Sequence, residues 1–340
     1  MNDSPAFVTG ATGWLGLRLV RKLIEGQPDR PIHCFVHRGE DASKLSSIAS
    51  SIQIVEGDLR ESESVDSFLS AAKGGTVFHV AGIIHPKRFV REFYEVNEEG
   101  TRRVVEAAKT SGVRRLIYVS SNSPIGCNPN AEHTFDEDSP YHPYMNYGRS
   151  KQRAEEIVNA ASGDLETVIL RMPWFYGPDQ PARQSLFFSM IKDGKAPVLG
   201  DGNYMRSMGF VDNLCQGLML SEQVEDAKGQ TYWIADRRPY PFHEVVDTIE
   251  RLLETEFGYT VAHKRLRLPA FVGNVAQLVD SIIQGAGLYH QKFHVLSEMN
   301  KHIACSIGKA ERELGYNPKI ELEEGMRRSL QWMADQGITL

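Results

Sequence analysis

"TGATGWLG", residues 9–16, governs how the rest of this chain is read. It joins a short apolar run, "PAFVTG" (5–10), to "WLGLRLVRKLIEG" (14–26). In the second stretch Leu15, Leu19, Val20, Leu23 and Ile24 share one face of a helix that stops at Gly26. Gly10, Gly13 and Gly16 stand three apart across this strand-to-helix turn. Glycine lets backbone approach a pyrophosphate, and the opening turn of a helix offers unpaired N–H groups and positive potential. The expected ligand is a dinucleotide held by Thr9, Gly10, Thr12, Gly13, Trp14, Leu15 and Gly16.

Strands and helices go on alternating. "PIHCFVH" (31–37), "IQIV" (52–55), "TVFHV" (76–80), "RLIYVSS" (115–121) and "ETVILRM" (166–172) read as strands. "EEGTRRVVEAAKTSG" (98–112) and "YGRSKQRAEEIVNAAS" (147–162) read as helices. That alternation implies an α/β doubly wound parallel sheet of Rossmann type with right-handed crossovers. After Met172 Pro and Gly become frequent, and helices recur near 185–192, 242–256, 270–284 and 321–335. We expect a Rossmann domain over 1–172, with a return segment near 207–235. Residues 173–206 and 236–340 would form a smaller, mostly helical substrate lobe. Within it Phe271, Val272, Val275, Leu278, Val279, Ile282 and Ile283 make one apolar face, expected to pack on the lobe's own core. The sharper alternatives for that face are a substrate lid or a membrane-surface contact.

Composition narrows the function classes. The 340 residues are 41% apolar and 24% charged, with net charge −6 and no long run of one sign. That argues against nucleic acid as a partner. Cys34, Cys127, Cys215 and Cys305 lie far apart without metal-like spacing and are expected as buried free thiols. The chain opens without a charged segment leading into an apolar stretch, and no run reaches the length of a membrane span. The expected setting is the cytoplasm, with a small molecule as the partner.

The second strand ends in "VHRGED" (36–41). His37 and Arg38 occupy the place where a carboxylate would bind the ribose 2′-hydroxyl of NAD. A guanidinium there would instead pair with a 2′-phosphate, which favours NADP, with NAD as the alternative. "GDL" (57–59) and "AGII" (81–84) also reach the crevice. Asp58 is positioned for the adenine amino group, Leu59 for the ring, and Ala81 and Gly82 leave room for the cofactor to pass.

"YGRSK" (147–151) opens a helix and puts Tyr147 and Lys151 on one face, one turn apart. A phenol titrates too high for acid–base work at neutral pH, and a neighbouring ammonium would lower it. Tyr147 could then exchange a proton with a hydroxyl or carbonyl while a nicotinamide exchanges hydride. "VSSNS" (119–123) brings Ser120 or Ser121 to the same oxygen as a hydrogen-bond donor.

Together "TGATGWLG", "GDL", "VNEEGTRRVVEAA", "YVSS", "YGRSK", "LRMPWFYGP" and "GDGNYMRSMGFVDN" resemble the extended short-chain dehydrogenase/reductase family over nearly the whole chain. The tail "LGYNP…LEEGMRRSLQW" (314–332) resembles its 3β-hydroxysteroid dehydrogenase-like branch. The resemblance implies that Ser121, Tyr147 and Lys151 are catalytic, with Asn97 in support near the lysine. It sets Ser120 and Pro173 at the cofactor, and Ile83, Ser121, Asn122, Trp174 and Arg206 around the substrate. It also allows a homodimer.

Three departures from the family's patterns select the chemistry. "SSNSP" lacks the Thr-Asp-Glu of the sugar dehydratases, so no carboxylate is at hand to eliminate water. Trp174 stands where sugar epimerases carry Asn, which suits an apolar substrate. Arg206 stands where nucleotide-sugar enzymes bind a diphosphate, which pulls the other way. The favoured function is NADP-dependent interconversion of a secondary alcohol and a ketone. A nucleotide-sugar 4-epimerase with retained cofactor is the alternative. An NADP-sensing regulator without turnover is disfavoured by the intact Ser-Tyr-Lys set. His290 and His294 are four apart with no carboxylate pair nearby in sequence, so no metal is expected.

Overall fold

The computed structural model describes residues 4–340. Its first half runs β1 (Ala6–Thr9), α1 (Trp14–Gly26), β2 (Ile32–His37), α2 (Ser43–Ser46), β3 (Ile52–Gly57), α3 (Ser62–Leu69) and β4 (Thr76–His79). Then come α4 (Arg91–Phe93), a π-helical turn (Tyr94–Glu98), α5 (Glu99–Thr110), β5 (Arg115–Ser121), α6 (Met145–Ala160) and β6 (Glu166–Met172). The second half contains β7 (Trp174–Tyr176), α7 (Ala182–Lys192), β8 (Pro197–Leu199), β9 (Met205–Arg206), β10 (Met208–Phe210), α8 (Val211–Gln223) and β11 (Gln230–Trp233). It closes with β12 (Tyr240–Pro241), α9 (Phe242–Thr255), β13 (Leu266–Leu268), α10 (Phe271–Gly285), α11 (Gln291–Glu298), α12 (Gly308–Leu314) and α13 (Leu322–Asp335).

Seven parallel strands form the central sheet, in the order β11-β6-β5-β4-β1-β2-β3. The order reverses between β1 and β4, which opens a crevice at the carboxyl ends of the strands. Alternate strand residues feed two cores. Val8, Cys34, Phe78, Ile117 and Leu170 pack with α1 and α8. Phe7, Phe35, Val77, Leu116 and Ile169 pack with α3, α5 and α6. Burial on both faces explains why these strands read as unbroken apolar runs. A third core, built on Tyr176, Phe188, Phe210, Ile249, Leu252 and Met326, holds α7, α9 and α13 together.

The expectation for α10 is overturned. Its inward residues are Gly273, Ala276, Asp280 and Gln284, whereas Phe271, Val275, Leu278 and Ile282 are 63%, 53%, 62% and 65% exposed. The apolar stripe exists, but it faces away from the lobe. All four cysteines are free thiols, three of them buried and Cys127 half-buried.

Candidate active site

The loop between β1 and α1 is shaped by close approach. Gly10 has φ +69°, and a Cβ on it would lie 2.8 Å from the Ala81 backbone. A Cβ on Gly16 would lie 2.1 Å from the Gly10 carbonyl oxygen. Gly13 precedes the helix with no side chain capping it and no acidic residue in the first turn, so the N–H groups there have no anionic partner of their own. A cradle that a Cβ would fill, joined to an uncapped helix end, fits a dinucleotide pyrophosphate. The side chains around it serve the frame. Thr9 Oγ1 lies 2.7 Å from His79 Nδ1 and accepts the Ala81 amide. Trp14 Nε1 donates to the Pro178 carbonyl at 2.6 Å, and its ring leans on Phe175, so α1 is strapped to the second half of the chain. Leu15 is core.

Tyr147 and Lys151 share one face of α6, which begins two residues before the sequence reading put it. The helix comes close to the end of β5 because residue 148 is glycine; a Cβ there would meet the Ser123 carbonyl oxygen at 2.4 Å. That closeness sets the Ser121 hydroxyl against the Tyr147 phenol. Burial pushes the phenol up to about 12, against the downward pull of its hydrogen bond with Ser121. Lys151 Nζ donates to the Val119 carbonyl at 2.7 Å and sits over the Tyr118 ring at 4.2 Å. Burial pushes its ammonium down to about 7, opposed by Glu155. In this chain desolvation therefore outweighs the mutual effect of phenol and ammonium that their spacing suggested. Of the two serines, Ser121 faces Tyr147, while Ser120 Oγ turns to Glu155 at 2.5 Å.

Asn97 is buried within the π-helical turn. Its Oδ1 accepts the Ile83 amide at 2.8 Å; its Nδ2 donates to the Ile83 carbonyl at 2.9 Å and to Ser150 Oγ at 3.1 Å. It thereby clamps the strand end bearing Ala81 and Gly82 to the helix bearing Lys151. A Cβ on Gly82 would lie 3.3 Å from Asn97 Oδ1 and 3.8 Å from Lys151 Nζ. Ile83 and Tyr147 pack on Val90, Phe93 and Tyr289 in one small apolar cluster.

Several expected ligands have other occupations. The Arg38 guanidinium takes the Glu61 carboxylate at 2.6 and 2.7 Å and Ser64 Oγ at 2.9 Å, on the surface. Glu40 accepts from Thr12 Oγ1. Asp58 is engaged by Arg60, with His37 Nε2 3.4 Å away; the Arg60 hydrogen bond holds its carboxyl down at about 2. Leu59 is buried beside Gly100. Asn122 lies beside Ser121, whose hydroxyl reaches its Oδ1 at 3.4 Å. Trp174, just past Pro173, is 38% exposed and stands edge-on to Phe187. Arg206 Nη2 donates to the Glu298 carbonyl at the end of α11, and the residue pairs with no carboxylate among the described residues. His294 does find a carboxylate, Asp280 Oδ2 at 2.8 Å, which sequence spacing did not reveal. No group of three metal-ligating side chains occurs among the described residues.

The NAD dependent epimerase/dehydratase family model matches residues 6–235. The chain belongs to that family. It is an NAD(P)-dependent enzyme of the extended short-chain dehydrogenase/reductase type. This family member is 47% identical to the uncharacterized protein y4nL of Sinorhizobium fredii (strain NBRC 101917 / NGR234), over 99% of this chain and 97% of that one. It is 28% identical to the sterol-4-alpha-carboxylate 3-dehydrogenase ERG26, decarboxylating, of Saccharomyces cerevisiae, with 97% and 98% covered. The UDP-glucose 4-epimerase of Thermotoga maritima, solved with UDP-glucose, superposes with TM-score 0.77 at 20% identity, covering 98% and 99%; that likeness is one of fold.

Sequence reasoning passed over two buried polar groups that support this epimerase/dehydratase-family site. One is Glu155, beneath Ser120. The other is His79, fully buried between Thr9 and Thr101. Burial drives the His79 ring down to about 3, with Lys151 adding to the effect. Between pH 6.5 and about 3 the unfolded chain binds a proton that the folded ring refuses. Stability is therefore expected to fall as pH drops through that window, by up to about 1.4 kcal/mol per pH unit. His85, held down at about 4 mainly by burial, acts in the same direction. Urea midpoints between pH 7.5 and 4.5 measure the slope, and His79→Gln should flatten it. A slope unchanged in that variant would assign the loss elsewhere.

Proposed function

We propose that this chain interconverts a secondary alcohol and a ketone on an apolar substrate, using NADP(H). The observation that carries the reading is the company of Tyr147: Ser121 on one side and the apolar Ile83, Phe93 and Tyr289 on the other, with the Glu298 carboxylate acting on the phenol through its charge alone. Trp174, exposed over Phe187, adds apolar surface that a fused-ring or prenylated substrate could cover. The sterol for which the yeast relative is named has the same character. In this reading residues 173–206 and 236–340 supply the substrate lobe.

The turn at Gly10–Gly16 would hold the pyrophosphate, Asp58 and Leu59 the adenine side, and Ala81, Gly82 and Pro173 the nicotinamide side. The bound nicotinamide supplies or accepts the hydride. Tyr147 gives its phenolic proton to the carbonyl oxygen in reduction and takes it back in oxidation. Ser121 donates a hydrogen bond to that oxygen and holds it in line. Lys151, fixed by the Val119 carbonyl, adds positive charge beneath the reacting groups. Asn97 acts as a positioning residue through Ile83 and Ser150. The test is a panel of apolar ketones followed by NADPH absorbance; turnover confined to nucleotide sugars would overturn the reading.

Arg38 supports NADP, since its exposed guanidinium stands at the end of β2 and can exchange Glu61 for a 2′-phosphate. Glu40, beside Thr12, acts against it. Calorimetry should show tighter binding of NADP than of NAD. Arg38→Asp should reverse the preference by about 1–3 kcal/mol. Equal or tighter NAD binding by the native chain would refute this choice.

One observation favours a nucleotide-sugar 4-epimerase. Among the described residues the Arg206 guanidinium bonds only the Glu298 carbonyl, and burial pushes it below its ordinary value against the pull of the Glu298 charge, as at a site awaiting an anion. Titration with UDP- and dTDP-sugars separates the readings. Micromolar binding abolished by Arg206→Ala, with no ketone reduced, would favour the epimerase.

A further inference from the structure

Helix α10 carries its apolar side outward, and its inward side is fastened in that orientation. Asp280 receives the His294 ring at 2.8 Å and the Gln284 amide at 2.8 Å. Gln284 Oε1 accepts from the Asn146 side chain at 2.9 Å, next to Tyr147. Gly273 lies so close to Asn300 that a Cβ would meet its side chain at 2.4 Å. Rolling the helix to hide Phe271, Val275, Leu278 and Ile282 would break a buried carboxylate–imidazole pair. The stripe is presented by construction, at i, i+4, i+7 and i+11 along one side. Contiguous exposed apolar surface of this kind marks an interaction site.

The charges around it identify the partner. The chain as a whole carries net charge −6. Between residues 261 and 297, however, the cations are Lys264, Arg265, Arg267 and Lys292, and the one carboxylate, Asp280, is buried; Arg265 is taken by Asp247 and Glu250, which leaves Lys264, Arg267 and Lys292 for a partner. At the far end of α10, exposed Leu288 bridges to exposed Phe89. The Arg88 and Arg91 guanidinium groups lie 5.1 and 5.3 Å from the Phe89 ring; Arg91 also pairs loosely with Glu95 at 3.7 Å, and Glu92 takes the Phe89 amide, which leaves Arg88 as the unpaired cation at this end among the described residues. An apolar stripe flanked by cations matches an anionic lipid surface, with headgroups for the cations and acyl chains for the stripe. A second copy of this chain would set like charges against each other across a twofold axis.

We propose that this face rests on an anionic membrane surface. The α10 stripe would enter the boundary between headgroups and acyl chains, with Arg88, Arg91, Lys264 and Arg267 on the headgroups. No described helix is long and apolar enough to cross the membrane, so the contact is peripheral. The Phe89–Leu288 bridge leads into the Val90, Phe93 and Tyr289 cluster against which Tyr147 packs. A molecule dissolved in the bilayer would thus reach the site without crossing water. The membrane contact stands on the exposed face and its charges, independently of which substrate is turned over.

Co-sedimentation of the full chain with vesicles tests it. The protein should pellet with phosphatidylcholine vesicles containing phosphatidylserine, less with phosphatidylcholine alone, and less as salt rises. Leu278→Glu with Ile282→Glu should weaken vesicle binding about tenfold or more. Both side chains are exposed, so cofactor affinity and thermal midpoint should be unchanged. Arg88→Glu with Arg91→Glu should remove only the preference for anionic vesicles. Native protein left in the supernatant, or vesicle binding indifferent to the α10 pair, would overturn the proposal. A native dimer turned monomer by the α10 pair, without an effect on vesicles, would also overturn it and make a second copy the occupant.

Discussion

Tyr147→Phe is expected to lower turnover by about 10²–10⁴-fold while leaving cofactor affinity nearly intact. The substitution deletes one oxygen. The ring contact with Phe93, at 5.7 Å between centroids, survives, so the apolar cluster around the site should hold its shape. The transferable proton and the bond with Ser121 are lost. Because burial, with Glu298 adding to it and Ser121 opposing it, pushes the phenol up to about 12, the native side chain is protonated at neutral pH and is ready to act as an acid. Reduction of a ketone should therefore suffer at neutral pH as severely as oxidation of the alcohol does at high pH. Single-turnover measurements with saturating NADPH isolate the chemical step. Native turnover in the variant would remove Tyr147 from the mechanism.

Glu155→Ala is expected to destabilise the fold by about 3–5 kcal/mol, the usual consequence of leaving one member of a buried ion pair alone. Glu155 is wholly buried and takes Arg171 Nη2 at 2.8 Å, Tyr141 OH at 2.8 Å and Ser120 Oγ at 2.5 Å. Truncation strands the guanidinium of a residue only 4% exposed and removes the acceptor for two hydroxyls. Replacing Glu155 and Arg171 together by leucine should recover part of the loss, because the penalty belongs to the unpaired charge. Urea unfolding of both variants reads the difference. A cost below about 1 kcal/mol for Glu155→Ala would mean that water reaches Arg171.

What could be read from the sequence and what could not follow from the range of the contacts. Of the six strands ending at Met172, the inner ones were legible because burial on both faces leaves apolar runs, edge strand β3 because Ile52, Ile54 and Val55 still mark it beside exposed Gln53 and Glu56, and the glycine turn because the backbone itself must come close. β11, "QTYW", is four residues with a polar start and no local mark of pairing beside β6. Tyr147, Gly148 and Lys151 announce themselves by spacing on one helix. The Asp280–His294, Glu155–Arg171 and Thr9–His79 pairs do not, because their partners are 14, 16 and 70 positions apart. The α10 stripe shows the complementary limit. Periodicity reveals that a helix has an apolar side, but only the inward bonds of Asp280 and Gln284 decide which way that side looks.

The π-helical turn at Tyr94–Glu98 carries a consequence for insertions and deletions. Such a turn accommodates one residue more than an α-helix of the same height. Through it Tyr94 and Asn97 both reach α6, the first bonding Asn146 and the second Ser150. Upstream, Phe93 faces the Tyr147 cluster; downstream, Val104 and Val105 face the sheet. Deleting any one residue of 94–98 would restore a regular α-helix of the same height, leave the two halves facing as before and remove the bulge by which Tyr94 and Asn97 both reach α6. Phe93 and Val104 would keep their cores, but Asn97 would lose Ile83 and Ser150 or Tyr94 would lose Asn146. The sequence in this interval should therefore accept substitutions at Glu95 and Glu98 far more readily than any change in its length.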